Sequence, residues 1–433
     1  MSSAALPGFR DFYPAELAER AHLMRAWGKV ARRYGFVEYD GPPLEPLDLY
    51  TRKSGEEIVG QLYNFLDKGG REVALRPEMT PTFARMVGAR ANALRKPVRW
   101  FSTPQLFRYE RQQKGRLREH FQLNVDIVGE ADVLADAELL AVAIDVMREL
   151  GLTADDVRAR VSDRRLLTAL LGAIGVLEAQ LPVVFAAVDK MEREPRESIA
   201  ARLTAAGLSA ATVDRLYVLV QGTDWNAVRA EYGAHAGVAE HVARLDRYLD
   251  ALDALGLREW VRIDLSIVRG LAYYTGIVFE LFDARGEFRA ICGGGRYDTL
   301  LAALGPVDLP ALGFGMGDVV LGELLRARGL MPQWEPALDW WVVAGEGVPV
   351  AAVLRAARAL REQGFSAEYV LNAEKLTTQK TGAQLKTAQK AGARRALVLR
   401  DAMTAEVRAF RSDEPPREIR LDELHRLGAP HPA

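Results

Sequence analysis

Residues 268–280, VRGLAYYTGIVFE, place one arginine, Arg269, beside a glycine and two tyrosines in a run of strand-forming side chains. Val268, Leu271, Tyr273, Ile277, Val278 and Phe279 suit a pleated, half-buried surface. Gly270 and Gly276 let a backbone or ligand approach closely, or mark a bulge. Burying a guanidinium without an anion is costly. Arg269 therefore points either to a phosphate or carboxylate held over a sheet floor, or to a structural carboxylate at a strand end. Downstream, residues 288–298, FRAICGGGRYD, supply three consecutive glycines, then Arg296, Tyr297 and Asp298. Residues 311–325, ALGFGMGDVVLGELL, read as a strand, a glycine-rich turn and a helix. Three glycine-punctuated strand segments so close together predict one sheet whose surface is kept bare for a flat ligand. Gly313, Gly315 and Gly317 are spaced GxGxG, which is not the dinucleotide fingerprint, and no GxxxxGK[ST] loop occurs.

A second constellation lies upstream. The run from Val98 to Tyr109, VRWFSTPQLFRY, is strand-like and ends in Arg108 and Tyr109, followed by Glu110. A basic stretch, RQQKGRLRE at 111–119, leads into a second strand-like run, HFQLNVDIVG at 120–129. This is a hairpin whose long loop carries Arg111, Lys114, Arg116 and Arg118; an isolated charge run of this kind is also ordinary for a solvated hairpin. Gln122, Asn124 and Asp126 alternate with Leu123, Val125 and Ile127, so the period of two puts the polar side chains on one face. An amide and a carboxylate sharing a face of a buried strand suit recognition of a polar small molecule.

With these segments in view, the chain resembles the histidyl-tRNA synthetases, class II aminoacyl-tRNA synthetases. PGFRDFYP near the start, LRPEMTPTFAR at 75–85, FRYERQQKGRLREHFQLNVDIVG at 107–129, and VRGLAYYTGIVFE with GGGRYD carry the resemblance. It implies a histidine–tRNA ligase that activates histidine with ATP and Mg²⁺ to histidyl-adenylate and transfers it to tRNA(His), as a homodimer. Carried over position by position, it implies that Glu78 and Thr80, with Met79 between them, hold the histidine α-amino group. Arg108 contacts the ATP α-phosphate and the substrate carboxylate, with Glu110 near adenine. Gln122 and Asp126 contact histidine, and Arg269 is the catalytic arginine at the α-phosphate. Tyr273, Tyr274 and Tyr297 shape the imidazole pocket. Three departures accompany it. Asp126 stands where the family commonly has Glu. His120-Phe121 stands where it has Phe-His, which puts an imidazole at the adenine-stacking position. Val319 and Val320 stand where a Glu-Arg pair is usual, leaving the γ-phosphate to Arg116, Arg118 or Mg²⁺. Two rival readings come from other classes: the non-catalytic, histidine-sensing regulatory subunit of ATP phosphoribosyltransferase, and a tRNA-binding paralogue without catalysis.

Composition fits such a protein. A chain of 433 residues, 49% hydrophobic, is long enough for two or three domains with real cores. Its formal net charge of −1 excludes a generally sticky nucleic-acid binder, so an RNA partner must meet local basic patches. A single cysteine, Cys292, excludes a disulfide framework within the chain and reads as a small apolar residue beside the glycines. With no apolar leader and no uninterrupted 18-residue apolar stretch, a cytoplasmic protein without a membrane partner is expected.

The expected organisation is an α+β catalytic domain at 1–328 with a mainly antiparallel sheet. A helical insertion falls at about 162–250, as in RRLLTALLGAIGVLEAQL and VAEHVARLDRYLDAL; the same residues also read as a helical layer of that domain. GLMPQWEPALD at 329–339 is a breaker-rich linker. Beyond it, at 340–433, strand and helix alternate through DWWVVAGE, AAVLRAARALREQG, SAEYVLN, QLKTAQKAGA and RRALVLR, predicting an α/β domain with a mainly parallel sheet. The resemblance makes this an anticodon-binding domain. Lys375, Lys380, Lys386, Lys390, Arg394 and Arg395 give it cationic character, as a solvated helix face also would, and residues 376–382 have no evident role.

Overall fold

The computed structural model describes residues 5–51, 60–109, 117–221, 223–268, 274–305, 307–335, 338–410 and 414–426. The chain divides into two compact units, Met1–Pro332 and Gln333–Ala433. In chain order the strands of the first are β1 (Val37–Glu38), β2 (Leu44–Pro46), β3 (Asn64–Leu66), β4 (Glu72–Leu75), β5 (Val98–Ser102), β6 (Gln105–Phe107), β7 (Glu119–Val128), β8 (Val157–Asp163), β9 (Val261–Ile263), β10 (Ile277–Asp283), β11 (Cys292–Arg296) and β12 (Ala311–Gly317). Among the described residues, nine of them form one sheet in the order β1-β5-β7-β12-β11-β10-β8-β9, with β6 also on β7. The pairings along its middle are antiparallel, and only β1 on β5 and β8 on β9 run parallel. Strands β2, β4 and β3 make a small separate sheet.

One strand explains how the sheet acquires two unlike faces. Along β7, Leu123, Val125 and Ile127 are buried in the main core, while Gln122, Asn124 and Asp126 point the other way. Each of those three apolar side chains stabilises the fold by roughly 1.5–3 kcal/mol on burial, which locks the register. Asp132 starts the next helix, Val133–Glu149, by accepting from the Leu134 amide at 2.9 Å. That helix lies over the apolar face, with Pro14–Arg33 and Ala239–Ala254 packed against it. The helices from Arg164–Ala173 to Ala239–Ala254 continue this core through Leu166, Leu170, Leu216, Leu245 and Leu252.

Three details differ from the sequence reading. The strand of the 268–280 stretch begins at Ile277; Val268 is buried but outside any strand, and 269–273 lie outside the described residues. The turn expected at Gly313–Gly315–Gly317 is strand throughout β12, and helix Asp318–Ala327 follows directly. The helical block starts after Asp163, since Ser162 and Asp163 belong to β8, and ends with Ala254.

Among the described residues, the second unit holds a five-stranded sheet, ordered β14-β13-β15-β16-β17, from β13 (Leu338–Ala344), β14 (Ala367–Glu368), β15 (Ala393–Leu399), β16 (Thr404–Ala409) and β17 (Arg417–Arg420). The three strands read from sequence are mutually parallel, but β16 and β17 add two antiparallel pairings, so the sheet is mixed. Its first strand begins inside the stretch read as a linker. Residues 376–382 have a structural job. Fully buried Gln384 donates to the carbonyls of Leu376, Gln379 and Ala344 and accepts from the Ala344 amide, tying this segment to the end of β13.

Candidate active site

The bare sheet surface has a local cause. Registers pair Asp126 with Gly313 and Asn124 with Gly315, and Gly315 in turn with Gly293. A Cβ on Gly313 would lie 2.2 Å from Asp126 Oδ1, and one on Gly315 would lie 2.8 Å from the Gln122 amide. The glycines of β12 are thus required by the side chains of β7 that lean across them. On β11, Gly293 and Gly295 share the polar face, whereas Gly294 backs onto Phe314 in the core.

Over this floor opens a cleft of about 230 Å³. Arg108, His120 and Gln122 form one side, Gly293, Gly315 and Gly317 the base, and Val319 and Val320, in the first turn of helix Asp318–Ala327, the far wall. Arg108 Nε donates to the Pro77 carbonyl at 3.0 Å, which fixes the guanidinium plane. Half-buried Glu78 faces it: desolvation raises that carboxyl, with Arg108 pulling the other way. Burial, reinforced by Arg108 and then Arg10, pushes His120 down to about 3, so its ring is neutral near pH 7. Cys292 also lines the cleft; burial, with Glu280 adding to it, holds its thiol well above the usual range, which leaves it unreactive.

Further along the same face, Asp126 is buried and accepts a short hydrogen bond from the Tyr297 hydroxyl. Desolvation pushes its carboxyl up to about 7, against the opposing effect of that bond. An unfolded Asp ionises near 4, so between about pH 4 and 7 the folded protein holds the extra proton and stability falls as pH rises. Asp126→Asn keeps the shape and the acceptor for Tyr297. It is expected to raise the melting temperature near pH 8 and leave it unchanged near pH 4. Melts followed by circular dichroism check this; equal melting temperatures at the higher pH would mean that the buried charge costs nothing.

The other sequence-derived residues divide. Thr80 opens the helix Thr80–Arg90 and is half-buried, but the Met79 side chain is fully buried, which leaves only its backbone for a ligand. Tyr274 packs against the cluster that holds Tyr297 and lines a second cleft with Arg164 and Arg165. Arg118 stacks 4.2 Å from the Tyr109 ring centroid. Glu110, Arg111, Lys114, Arg116, Arg269 and Tyr273 lie outside the described residues. Among the described residues no cluster of His, Cys, Asp or Glu could hold a metal ion.

Sequence reasoning missed the clamp that holds the cleft's end. Arg10, from PGFRDFYP, donates to Glu119 at 2.7 Å and pairs with Asp318 at 2.9 Å, both carboxylates being buried. Asp318 accepts from the Phe121 amide, and Glu119 accepts from Gln105. The only signal was an aspartate directly after GFGMG, a costly place for a charge unless it is paired.

Comparison with known proteins gives the family and the fold. A family model described as histidyl-tRNA synthetase matches residues 8–317. A relative named histidine–tRNA ligase from Opitutus terrae is 46% identical over 397 residues, 91% of this chain and 90% of its own length. A chloroplastic/mitochondrial histidine–tRNA ligase from Arabidopsis thaliana is 41% identical, covering 85% of this chain and 75% of the relative. The crystal structure of histidyl-tRNA synthetase from Nostoc sp. PCC 7120 superposes with a TM-score of 0.81 over 98% of this chain and 99% of that one; at 21% identity it speaks for the fold. A Bacillus halodurans structure titled as an ATP phosphoribosyltransferase regulatory subunit/histidyl-tRNA synthetase shares the fold at a TM-score of 0.74, with 21% identity and coverage of 92% and 98%. By sequence, the chain belongs to the histidyl-tRNA synthetase family.

Proposed function

We infer that the protein is a histidine–tRNA ligase. The observation that carries this reading is the glycine floor edged by Arg108, His120, Gln122 and Asp126, in a chain 46% identical to a histidine–tRNA ligase. Histidine lies toward Asp126 and Gln122, where a carboxylate and an amide can meet both imidazole nitrogens, and Glu78 takes the α-amino group. ATP lies toward Arg108, with the neutral ring of His120 offering a flat face to adenine. The histidine carboxylate attacks the α-phosphorus, a P–O bond forms as the bond to pyrophosphate breaks, and Arg108 and Arg269 stabilise the charge that develops. The ribose hydroxyl at the tRNA terminus then attacks the adenylate carbonyl and AMP leaves. Mg²⁺ would enter with the triphosphate and neutralise its oxygens. Charging of tRNA(His) with labelled histidine tests the reading; a folded protein that never forms histidyl-tRNA would overturn it.

Residues 1–328 are assigned to activation, with 162–250 as the helical insertion, and 340–433 to the tRNA anticodon. Lys375, Lys380, Lys386 and Lys390 are exposed along two helices, whereas Arg394 pairs with Asp339 at 3.6 Å and Arg395 covers Trp340. Of these six, the lysines are therefore the available cations. Lys386→Glu with Lys390→Glu is expected to raise the KM for tRNA about tenfold or more and leave adenylate formation unchanged. Unaltered tRNA kinetics would remove this face from the interface.

The active form is a homodimer in this reading. Val37, Phe65 and Leu66 are exposed on β1 and β3, apolar edges that suit a second copy. The compartment assigned is the cytoplasm; no described helix is long and apolar enough to cross a membrane.

A further inference from the structure

A second cleft, of about 580 Å³, opens between helix Arg164–Ala173, helix Ala239–Ala254 and the segment leading into β10. Arg164, Arg165, Thr168, His241, Thr275 and Thr299 line it, and among the described residues no carboxylate does. Arg164 Nη1 donates to the Tyr274 carbonyl at 3.0 Å, and its guanidinium lies 5.5 Å from the Phe185 ring centroid. It forms no ion pair among the described residues. Arg165 donates to the Thr275 carbonyl and pairs with Asp298 at 3.0 Å. One turn beyond His241, Arg244 holds a buried Nη2 without a hydrogen-bond partner among the described residues, 3.2 Å from where a Cβ on Gly276 would stand. Of the nearby acids, Asp298 is shared by Arg165 and Arg296, Asp163 is buried and caps its helix through Oδ1, and Glu240, 78% exposed, lies 3.5 Å from His241 Nε2.

We propose that this cleft is a binding site for a phosphate group, separate from the histidine and ATP cleft. Arg164 supplies the charge, with Arg165, His241 and the Thr299 hydroxyl as further donors; the Thr168 and Thr275 hydroxyls already donate to the Arg164 carbonyl and to Asp298. Desolvation without a compensating carboxylate lowers the Arg164 pKa, the condition an arriving anion relieves. Two guanidiniums beside an imidazole and the Thr299 hydroxyl match the several acceptor oxygens of a phosphate. Two carriers present the same chemistry: the backbone of bound tRNA, an arm that rests on the ligase reading, and free phosphate.

Two substitutions in the full-length protein separate them. Arg164→Gln retains an N–H donor for the Tyr274 carbonyl while removing the charge. Thr168→Glu puts a negative charge into the cleft at a position whose hydroxyl otherwise bonds only to its own helix, at the Arg164 carbonyl. If the phosphate is carried by tRNA, both raise the KM for tRNA, Arg164→Gln by about tenfold. Arg164→Gln should also make the slope of log affinity against log salt less steep by about one. If it is free phosphate, inorganic phosphate raises the melting temperature of the wild type above that in chloride of equal ionic strength, and both variants abolish the difference. Wild-type tRNA kinetics together with unchanged phosphate stabilisation in both variants would overturn the proposal. So would a fall in histidine-dependent pyrophosphate exchange matching the loss of charging, because the cleft would then serve adenylate formation. Exchange missing from the wild type itself would count against the ligase reading alone, and the phosphate melts would still decide the site.

Discussion

Arg108→Ala is expected to lower histidine-dependent ATP–pyrophosphate exchange by two to three decades, equivalent to ~3–4 kcal/mol, in a protein that remains folded. The side chain is anchored through Nε to the Pro77 carbonyl and stands on the cleft wall beside His120 and Gln122. A cation held this way needs no reorganisation when charge develops at the α-phosphorus, which is why its removal costs more than an exposed ion pair would. Arg108→Lys keeps the charge but loses the planar fork and the Nε anchor, so it should recover only part of the rate. Exchange within a few-fold of wild type in a folded Arg108→Ala protein would take this arginine out of the mechanism.

Arg296→Met should destabilise the first unit by about 3–5 kcal/mol, the usual cost of stripping one partner from a buried ion pair. All of the guanidinium's directions are in use. Nε and Nη2 meet Asp136 at 3.1 and 2.6 Å, Nη1 meets the Glu130 carbonyl at 2.9 Å and Asp298 at 3.3 Å, and Nη2 also meets the Asp132 carbonyl. Both side chains of the central pair are 1–2% exposed, so the substitution leaves Asp136 charged and dry. Adding Asp136→Leu removes the stranded charge and should recover much of the loss, since a packed apolar pair often does as well as a buried ionic one. Urea unfolding measures both. A single mutant as stable as the wild type would mean that water reaches Asp136.

Local pattern made half of the site legible. The alternation Gln122, Asn124, Asp126 against Leu123, Val125, Ile127 is a property of one strand, and it identified both the polar face and the core. The glycines of β12 looked like a turn because nothing near them in sequence reveals that Asp126 and Gln122 lie across them; their cause is a neighbouring strand some 190 residues away. Arg296 and Asp136 are 160 residues apart and Arg10 and Glu119 are 109 apart, so neither clamp could be paired from spacing alone. In the second unit, β13 and β15 carried long apolar runs, whereas β16 and β17 alternate charged residues with short apolar ones and escaped notice. Nothing within QLKTAQKAGA singles out Gln384, whose role rests on carbonyl partners that only the fold brings to it.

The central claim is that the cleft over the glycine floor activates histidine and does not merely bind it. Exchange of labelled pyrophosphate into ATP, measured with and without histidine, tests that most directly, because it needs the adenylate to form and needs no tRNA. The expected result is exchange that depends on histidine and stays near background with other amino acids. Tight histidine binding with no exchange at any ATP concentration would contradict the claim and leave the protein a histidine sensor built on a synthetase fold.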